Sequence, residues 1–337
     1  MRKFRSHRGM VLIFALWVLG ILTILAVSMA AGIRQKITLV ARLDERSRMN
    51  YLLQSAVKKT AAYIHQQLEA SSLMFTPAVK LNLLNNTGAL ANVFLGQDNA
   101  GIGYMLRKGE SLRWGVVDEE SKLNLNKTNT ATLTVLLTKV LALKDEQTAK
   151  LARALLDWRQ YGESEITGFF SDEYYSQLQH PYPKKSAPYE TLDELLLVKG
   201  VDQQTFETLI SFVTIYGDGA VNINTASAPV LEALGLAEAV VEKILLVRRG
   251  RDGVDATADD YVFSRTFEIT ADLNTVVRLT LEEARAIDAL NMKGLLSTNS
   301  FYFTIEATGQ LASRSVTNLA RAVFSAREDK IVYWNEQ

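Results

Sequence analysis

The strongest pattern in the chain comes first. Residues 10–33, "MVLIFALWVLGILTILAVSMAAGI", contain no charged side chain. As a helix this run is about 36 Å long at ~1.5 Å per residue, enough to cross a bilayer core of about 30 Å. Beyond it the pattern changes character without breaking. Residues 34–70 hold neither proline nor glycine, and Leu53, Val57, Ala61, Ile64 and Leu68 recur at three- and four-residue steps, one face of a helix. Between the two apolar stretches, Leu43-Asp44-Glu45-Arg46-Ser47-Arg48-Met49-Asn50 reads as a solvated neck. The pattern predicts one helix of roughly 55–60 residues, half in a membrane and half packed on a folded domain.

Residues 71–100 read as a loop-rich connection, with "TPAV", "LNNTG" and "GQDNAGIG". Short strand candidates follow in "GYMLR" and "LRWGVVDEE", then in "SKLNLN", where Leu123 and Leu125 alternate with polar neighbours. From about Thr128 to Leu296 the pattern is mostly helical. Alternation returns in "FYFTIEAT", where Phe301, Phe303, Ile305 and Ala307 fall on one face. Gly309-Gln310 marks a turn, and "SVTNLARAVFSA" and "KIVYW" read as its partner strands. Strands, a helical block and strands again predict an α+β chain in which one small antiparallel sheet is interrupted by a helical insertion. Sheet segments from both sides of the insertion must pair, because isolated hairpins are marginal.

Composition narrows the chemistry. The 337 residues are 48% hydrophobic and 22% charged, a globular balance. Lys plus Arg and Asp plus Glu are both 37, so net charge gives no global attraction to nucleic acid. There is no cysteine, which excludes disulfides and thiolate sites. The three histidines are His7, His65 and His180, and the first lies in the basic leader, which disfavours a histidine-built zinc site. No G-x-S-x-G, P-loop or H-E-x-x-H occurs, and the adjacent acids Asp118-Glu119-Glu120 define no catalytic geometry, so the chain is not read as an enzyme.

The flank before the apolar run carries Arg2, Lys3, Arg5 and Arg8, and no acid precedes Asp44. The positive-inside rule keeps residues 1–9 cytoplasmic and exports the rest. A cleaved secretory signal has an apolar core of only ~7–15 residues, and an uncleaved anchor gives no role to Gly9. The stretch "RGMVLIF" offers a third reading, because it resembles the class III leader of type IV pilins and pseudopilins. That resemblance implies cleavage by prepilin peptidase between Gly9 and Met10, N-methylation of Met10, and retention of the helix.

Inside the helical block, "LDELLLVKGVDQQTFETLISFV" and "VNINTASAPVLEALGLAEAVVEKILLVRRG" resemble helix–hairpin–helix or SAM-like units. DNA-binding versions bring glycine-rich hairpin amides to a phosphate. Here Gly200 and Gly235 each lack the second glycine, and Asp202 and Glu238 stand at or near its place. Asp202 is better explained as a helix N-cap and Glu238 as a first-turn acid. Lys243, Arg248, Arg249 and Arg251 keep a membrane-anchored DNA binder, or a minor pilin of a DNA-uptake or adhesive pilus, as the alternative function. Two acidic stretches offer oxygen ligands for calcium: one with Asp157, Asp172 and Glu173, the other with Asp252, Asp255, Asp259 and Asp260 around Gly253.

Taken in order, "VDEESKLNLN", "ALLDW", "SAPYETLDELLLVKGV", "YGDGAVNINTASAPVLEALGL" and "FYFTIEATGQ" resemble the type II secretion system minor pseudopilin K family (GspK). The run 216–236 is the most specific part. The resemblance implies a pseudopilin fold with these parts: leader 1–9, transmembrane helix 10–33, first part of the α/β domain 34–127, inserted helical domain 128–297, and second part of the sheet 298–337. It also implies a place at the tip of the periplasmic pseudopilus, with I- and J-type minor pseudopilins, the major pseudopilin, prepilin peptidase and the inner membrane as partners and no nucleic acid. Calcium in the helical domain is implied too, with Asp157, Asp172 and Glu173 as its ligands. Gln160 stands where relatives often have a further acid. Most pilin-like proteins carry a glutamate as fifth mature residue, and here that place is Phe14.

Overall fold

The computed structural model describes residues 8–85, 93–95, 98–104, 113–160, 172–311 and 317–336. Helix α1 runs unbroken over Arg8–Ala70, 63 residues, or about 95 Å at ~1.5 Å per residue. Its first part is exposed on all sides. From Met49 onward it has a buried face that includes all five residues of the expected stripe, Leu53, Val57, Ala61, Ile64 and Leu68. A second helix, α2 (Pro77–Leu84), stands where the sequence reads as loop. Thr76 caps it by accepting the N–H of Val79 at 3.2 Å, and Pro77 occupies the first turn, where a missing N–H costs nothing.

The chain then forms β1 (Val93–Leu95), β2 (Asp98–Tyr104), β3 (Arg113–Trp114) and β4 (Val117–Asp118), and after the insertion β9 (Tyr302–Gln310), β10 (Thr317–Ser325) and β11 (Lys330–Glu336). Between β4 and β9 come β5 (Leu123–Asn124), α3 (Thr130–Val140), α4 (Asp145–Arg159), α5 (Asp172–Ser176), α6 (Gln203–Leu209), β6 (Val213–Thr214), β7 (Val221–Asn222), α7 (Ala228–Ala233), α8 (Glu238–Arg248), α9 (Ile269–Val276), α10 (Leu281–Met292) and β8 (Leu296–Ser297). The sheet closes with β9 (Tyr302–Gln310), β10 (Thr317–Ser325) and β11 (Lys330–Glu336).

Among the described residues one antiparallel sheet has the order β1-β2-β9-β10-β11, with β3 on β2 and β4 on β9. Strand β9 is the centre, and it pairs with β2 and β4 from before the insertion and with β10 from after it. Phe303, Ile305 and Ala307 of β9, with Ala320, Ala322 and Phe324 of β10, bury one face in a core shared with α1. The helix lies so close that a Cβ on Gly309 would sit 2.5 Å from the Met49 sulfur. Gly115, just before β4, has φ +148° and space for a Cβ only 2.6 Å from the Leu83 carbonyl oxygen, so no larger residue fits that bend.

The insertion has its own core, gathered from Leu123 to Leu296. The chain changes core between Val116 and Leu123 on the way out and between Leu296 and Phe303 on the way back. The strand read from "SKLNLN" therefore joins the insertion rather than the large sheet: β5 pairs in parallel with β6, as β7 does with β8. Leu123 and Leu125 are buried there because their alternation matches the inserted core, a choice that local periodicity does not encode.

Candidate functional site

Three features carry chemistry beyond packing. The first is the exposed part of α1. Among the described residues it is the single helix long and apolar enough to cross a membrane. Gly9 and Met10 lie in its first turns, and Phe14 is exposed on its surface. Among the described residues nothing covers the apolar side chains from Met10 to Val40 that line it.

The second feature is a buried acidic junction. Asp118, Glu119 and Glu120 sit where the chain leaves the sheet, and all three are buried. One oxygen of Asp118 accepts the Ser300 hydroxyl at 2.7 Å, the Asn222 amide at 3.1 Å and the Thr225 hydroxyl, and the other accepts the Glu120 N–H at 2.9 Å. Glu119 is paired with Lys122 at 2.6 Å and accepts the hydroxyls of Thr214 at 2.6 Å and Thr304 at 2.7 Å. Glu120 accepts the N–H of Phe301. Asp118 thus ties the outgoing crossing to β7, to the Thr225 turn after it and to Ser300 of the returning crossing, Glu119 ties it to β6 and β9, and Glu120 ties it to the returning crossing at Phe301. Asn124 adds bonds to the carbonyls of Tyr216 at 2.8 Å and Gly217 at 3.1 Å, and Tyr216 stacks on Tyr302.

The three carboxyls titrate differently because their neighbours differ. Burial pushes Asp118 up against its four hydrogen bonds. Burial alone would raise Glu119 as well, but Lys122 and the two threonine hydroxyls outweigh it and hold the group below its ordinary range. Burial, reinforced by the charge of Asp118, pushes Glu120 up to about 7.

The third feature is a clasp between the insertion and α2. Lys80, 1% exposed, lies 2.5 Å from Asp260 and 3.5 Å from Asp255. Arg248 holds both oxygens of Asp255 at 2.9 and 3.0 Å, and Arg249 adds a third contact at 3.0 Å. Burial would raise Asp255, but Arg248 and then Lys80 and Arg249 drive it well below the carboxylate range. The loop also enters the helix–sheet core through Ala256 and Val262, and Asn85 donates to the Ala256 carbonyl at 3.0 Å.

The residues read as calcium ligands are placed as follows. Asp255 and Asp260 face Lys80, Arg248 and Arg249, Asp259 accepts the N–H groups of Arg251 and Asp252, and Asp252 accepts that of Val254. Asp157 is buried against Lys184 at 2.9 Å. Glu173 is exposed and accepts from Gln177, while the side chain of Asp172 and residues 161–171 lie outside the described residues. Among the described residues no three carboxylates or imidazoles come together to hold a metal. Asp157, Asp255 and Asp260 are each engaged by a lysine or arginine, so a calcium ion, which takes six to eight oxygens, would have to displace those cations to gain theirs.

Three of the four basic residues that motivate a DNA reading are engaged, and the fourth, Arg251, is exposed. Lys243 pairs with Glu283 at 2.7 Å, and Arg248 and Arg249 hold Asp255. Asp202 caps α6 by accepting the Thr205 N–H at 2.8 Å, and Glu238 opens α8. Sequence reasoning left Asp118, Glu119, Glu120 and Lys80 without a role. The available signal was the pairing of "VDEES" with "NINTAS", two polar runs in apolar surroundings.

The sequence and fold both match known proteins. Residues 116–218 match the family profile of the type II secretion system (T2SS), protein K, a segment that begins at the acidic junction and ends at Asp218. Among curated proteins no sequence matches. Among solved structures, the chain is similar to one in the crystal structure of the GspK-GspI-GspJ complex from the enterotoxigenic Escherichia coli Type 2 Secretion System, with 17% identity and a TM-score of 0.58 over 87% of this chain and 99% of that one. Residues 116–218, the junction and the first part of the insertion, thus carry the protein K sequence pattern, and the long N-terminal helix, small antiparallel sheet and helical insertion are the fold this chain shares with the one in the GspK-GspI-GspJ complex.

Proposed function

We propose that this chain is a minor pseudopilin that stands at the tip of the periplasmic pseudopilus, starts its assembly with I- and J-type minor pseudopilins, and thereby supports protein export across the outer membrane. The observation that carries the reading is the protein K sequence at 116–218 on a chain with a long exposed apolar helix. The similar solved chain comes from a complex of GspK, GspI and GspJ, which supports the choice of partners.

The physical steps follow from the helix. Residues 1–9 stay on the cytoplasmic side and the folded part is periplasmic. Prepilin peptidase cuts after Gly9, and Met10 becomes the N-methylated terminus. Residues 10–33 wait in the bilayer and then pass into the filament among the helices of partner and major pseudopilins. Both environments are apolar, so the exposed side chains of α1 leave lipid without meeting water. Phe14 suits the first subunit. A glutamate there would cost about 2.5–3.5 kcal/mol in mid-membrane unless an earlier subunit's amine paired with it, and the first subunit has no earlier neighbour. The inserted domain adds bulk above the sheet, which obstructs addition beyond it. The role is structural, with no catalytic step.

Mass spectrometry of the chain from cells with active prepilin peptidase tests the first step. The expected species begins at N-methylated Met10. A mature chain that keeps residues 1–9 contradicts the proposal.

A further inference from the structure

Both crossings between the two cores meet at Glu120, a carboxyl that no cation among the described residues neutralises. Glu120 is 8% exposed. One of its oxygens accepts the N–H of Phe301, and the amide of Tyr302 also faces the group. The other oxygen lies against the 216–218 turn so closely that a Cβ on Gly217 would be 2.8 Å from it. The charged groups around it are few. On its own turn stand Asp118, and Glu119 with its partner Lys122. The turn that follows β6 presents Asp218, and Tyr216 stacks on Tyr302 of β9. Lys127 packs its stem on Gly219, and Arg327 lies over the Phe301 ring at 4.5 Å. Lys122 is taken by Glu119, and no lysine or arginine among the described residues pairs with Glu120.

We propose that Glu120 is a proton-operated latch between the inserted domain and the sheet: protonated it holds the two crossings together, and ionised it loosens them. A neutral carboxyl keeps a carbonyl oxygen to accept the Phe301 N–H, and it removes repulsion from Asp118 and Asp218. An ionised one places a desolvated charge beside two others of the same sign. The direction follows from linkage. The folded-state value is raised above the ordinary 4.5 to about 7. The contribution of Glu120 is therefore fully present below the ordinary carboxyl range, declines as pH climbs from it, and is lost once pH passes the folded value.

Hydrogen exchange of the Phe301 and Tyr302 amides tests the latch on the full chain in detergent micelles, corrected for the intrinsic pH dependence of exchange. Protection is expected to fall about tenfold from pH 6 to pH 8. Glu120→Gln is expected to abolish this fall, and Asp218→Asn to move its midpoint to lower pH. Constant protection in the native chain, or the same fall in Glu120→Gln, overturns the proposal. If Glu120→Gln does not fold, Asp218→Asn decides, and an unmoved midpoint overturns it.

Discussion

Replacing Lys80 with methionine is expected to lower the stability of the chain by about 3–5 kcal/mol, measured by chemical denaturation in mild detergent. The side chains of Lys80 and Asp260 are 1% and 0% exposed, so neither charge has access to water. Removing the ammonium leaves Asp260 buried with only the Ala256 N–H at 2.8 Å and the Thr257 hydroxyl at 3.0 Å. It also weakens the hold of α2 on the 254–262 loop, a place where the insertion is tied to the helix and sheet. The pair itself contributes much less than the loss of one partner costs, because both charges are desolvated to form it. The double variant Lys80→Met with Asp260→Leu is therefore expected to recover most of the loss. A double variant no more stable than Lys80→Met would show that the clasp acts through hydrogen bonding rather than through charge.

Glu119→Ala is expected to cost a similar ~3–5 kcal/mol. It would strand Lys122 in a buried site and leave the hydroxyls of Thr214 and Thr304 without their acceptor. Glu119→Gln, which keeps an acceptor oxygen but not the charge, is expected to cost less. Glu119 also gives the junction an acid limit. Its folded value is held below the ordinary 4.5 by Lys122 and the hydroxyls. Its contribution is present above that value and is lost as pH falls through the folded one. Glu120 acts in the opposite direction, so the junction is firmest in mildly acidic solution. Equal losses for the alanine and glutamine variants at neutral pH would contradict the charge-based account.

How much of this was legible in the sequence depends on the range of the interactions. The long helix was legible because both its halves are written locally: an uncharged run, then a stripe at helical spacing. Strand β9 was legible from its period of two. Helix α2 was missed although Thr76-Pro77 is a helix-start signal, because its eight residues are too short for a clear period. The strand at Leu123 is legible as a strand but not as part of the insertion, because alternation says nothing about which sheet a strand joins. The junction was illegible for a different reason. Glu119 meets Thr214 and Thr304 across 95 and 185 residues of sequence, and Asn85 meets Ala256 across 171. The acids of the 252–260 loop read as oxygen ligands because the sequence shows the carboxylates together and hides Lys80 on a distant helix.

Assembly is the claim on which the rest depends. The direct measurement is native mass spectrometry of the full-length chain co-expressed with the I- and J-type minor pseudopilins of the same secretion system, extracted from membranes in mild detergent and captured on this chain. The expected result is one complex holding a single copy of each of the three, with this chain beginning at Met10. Recovery of this chain alone, while the I- and J-type subunits associate without it, would contradict its place at the tip.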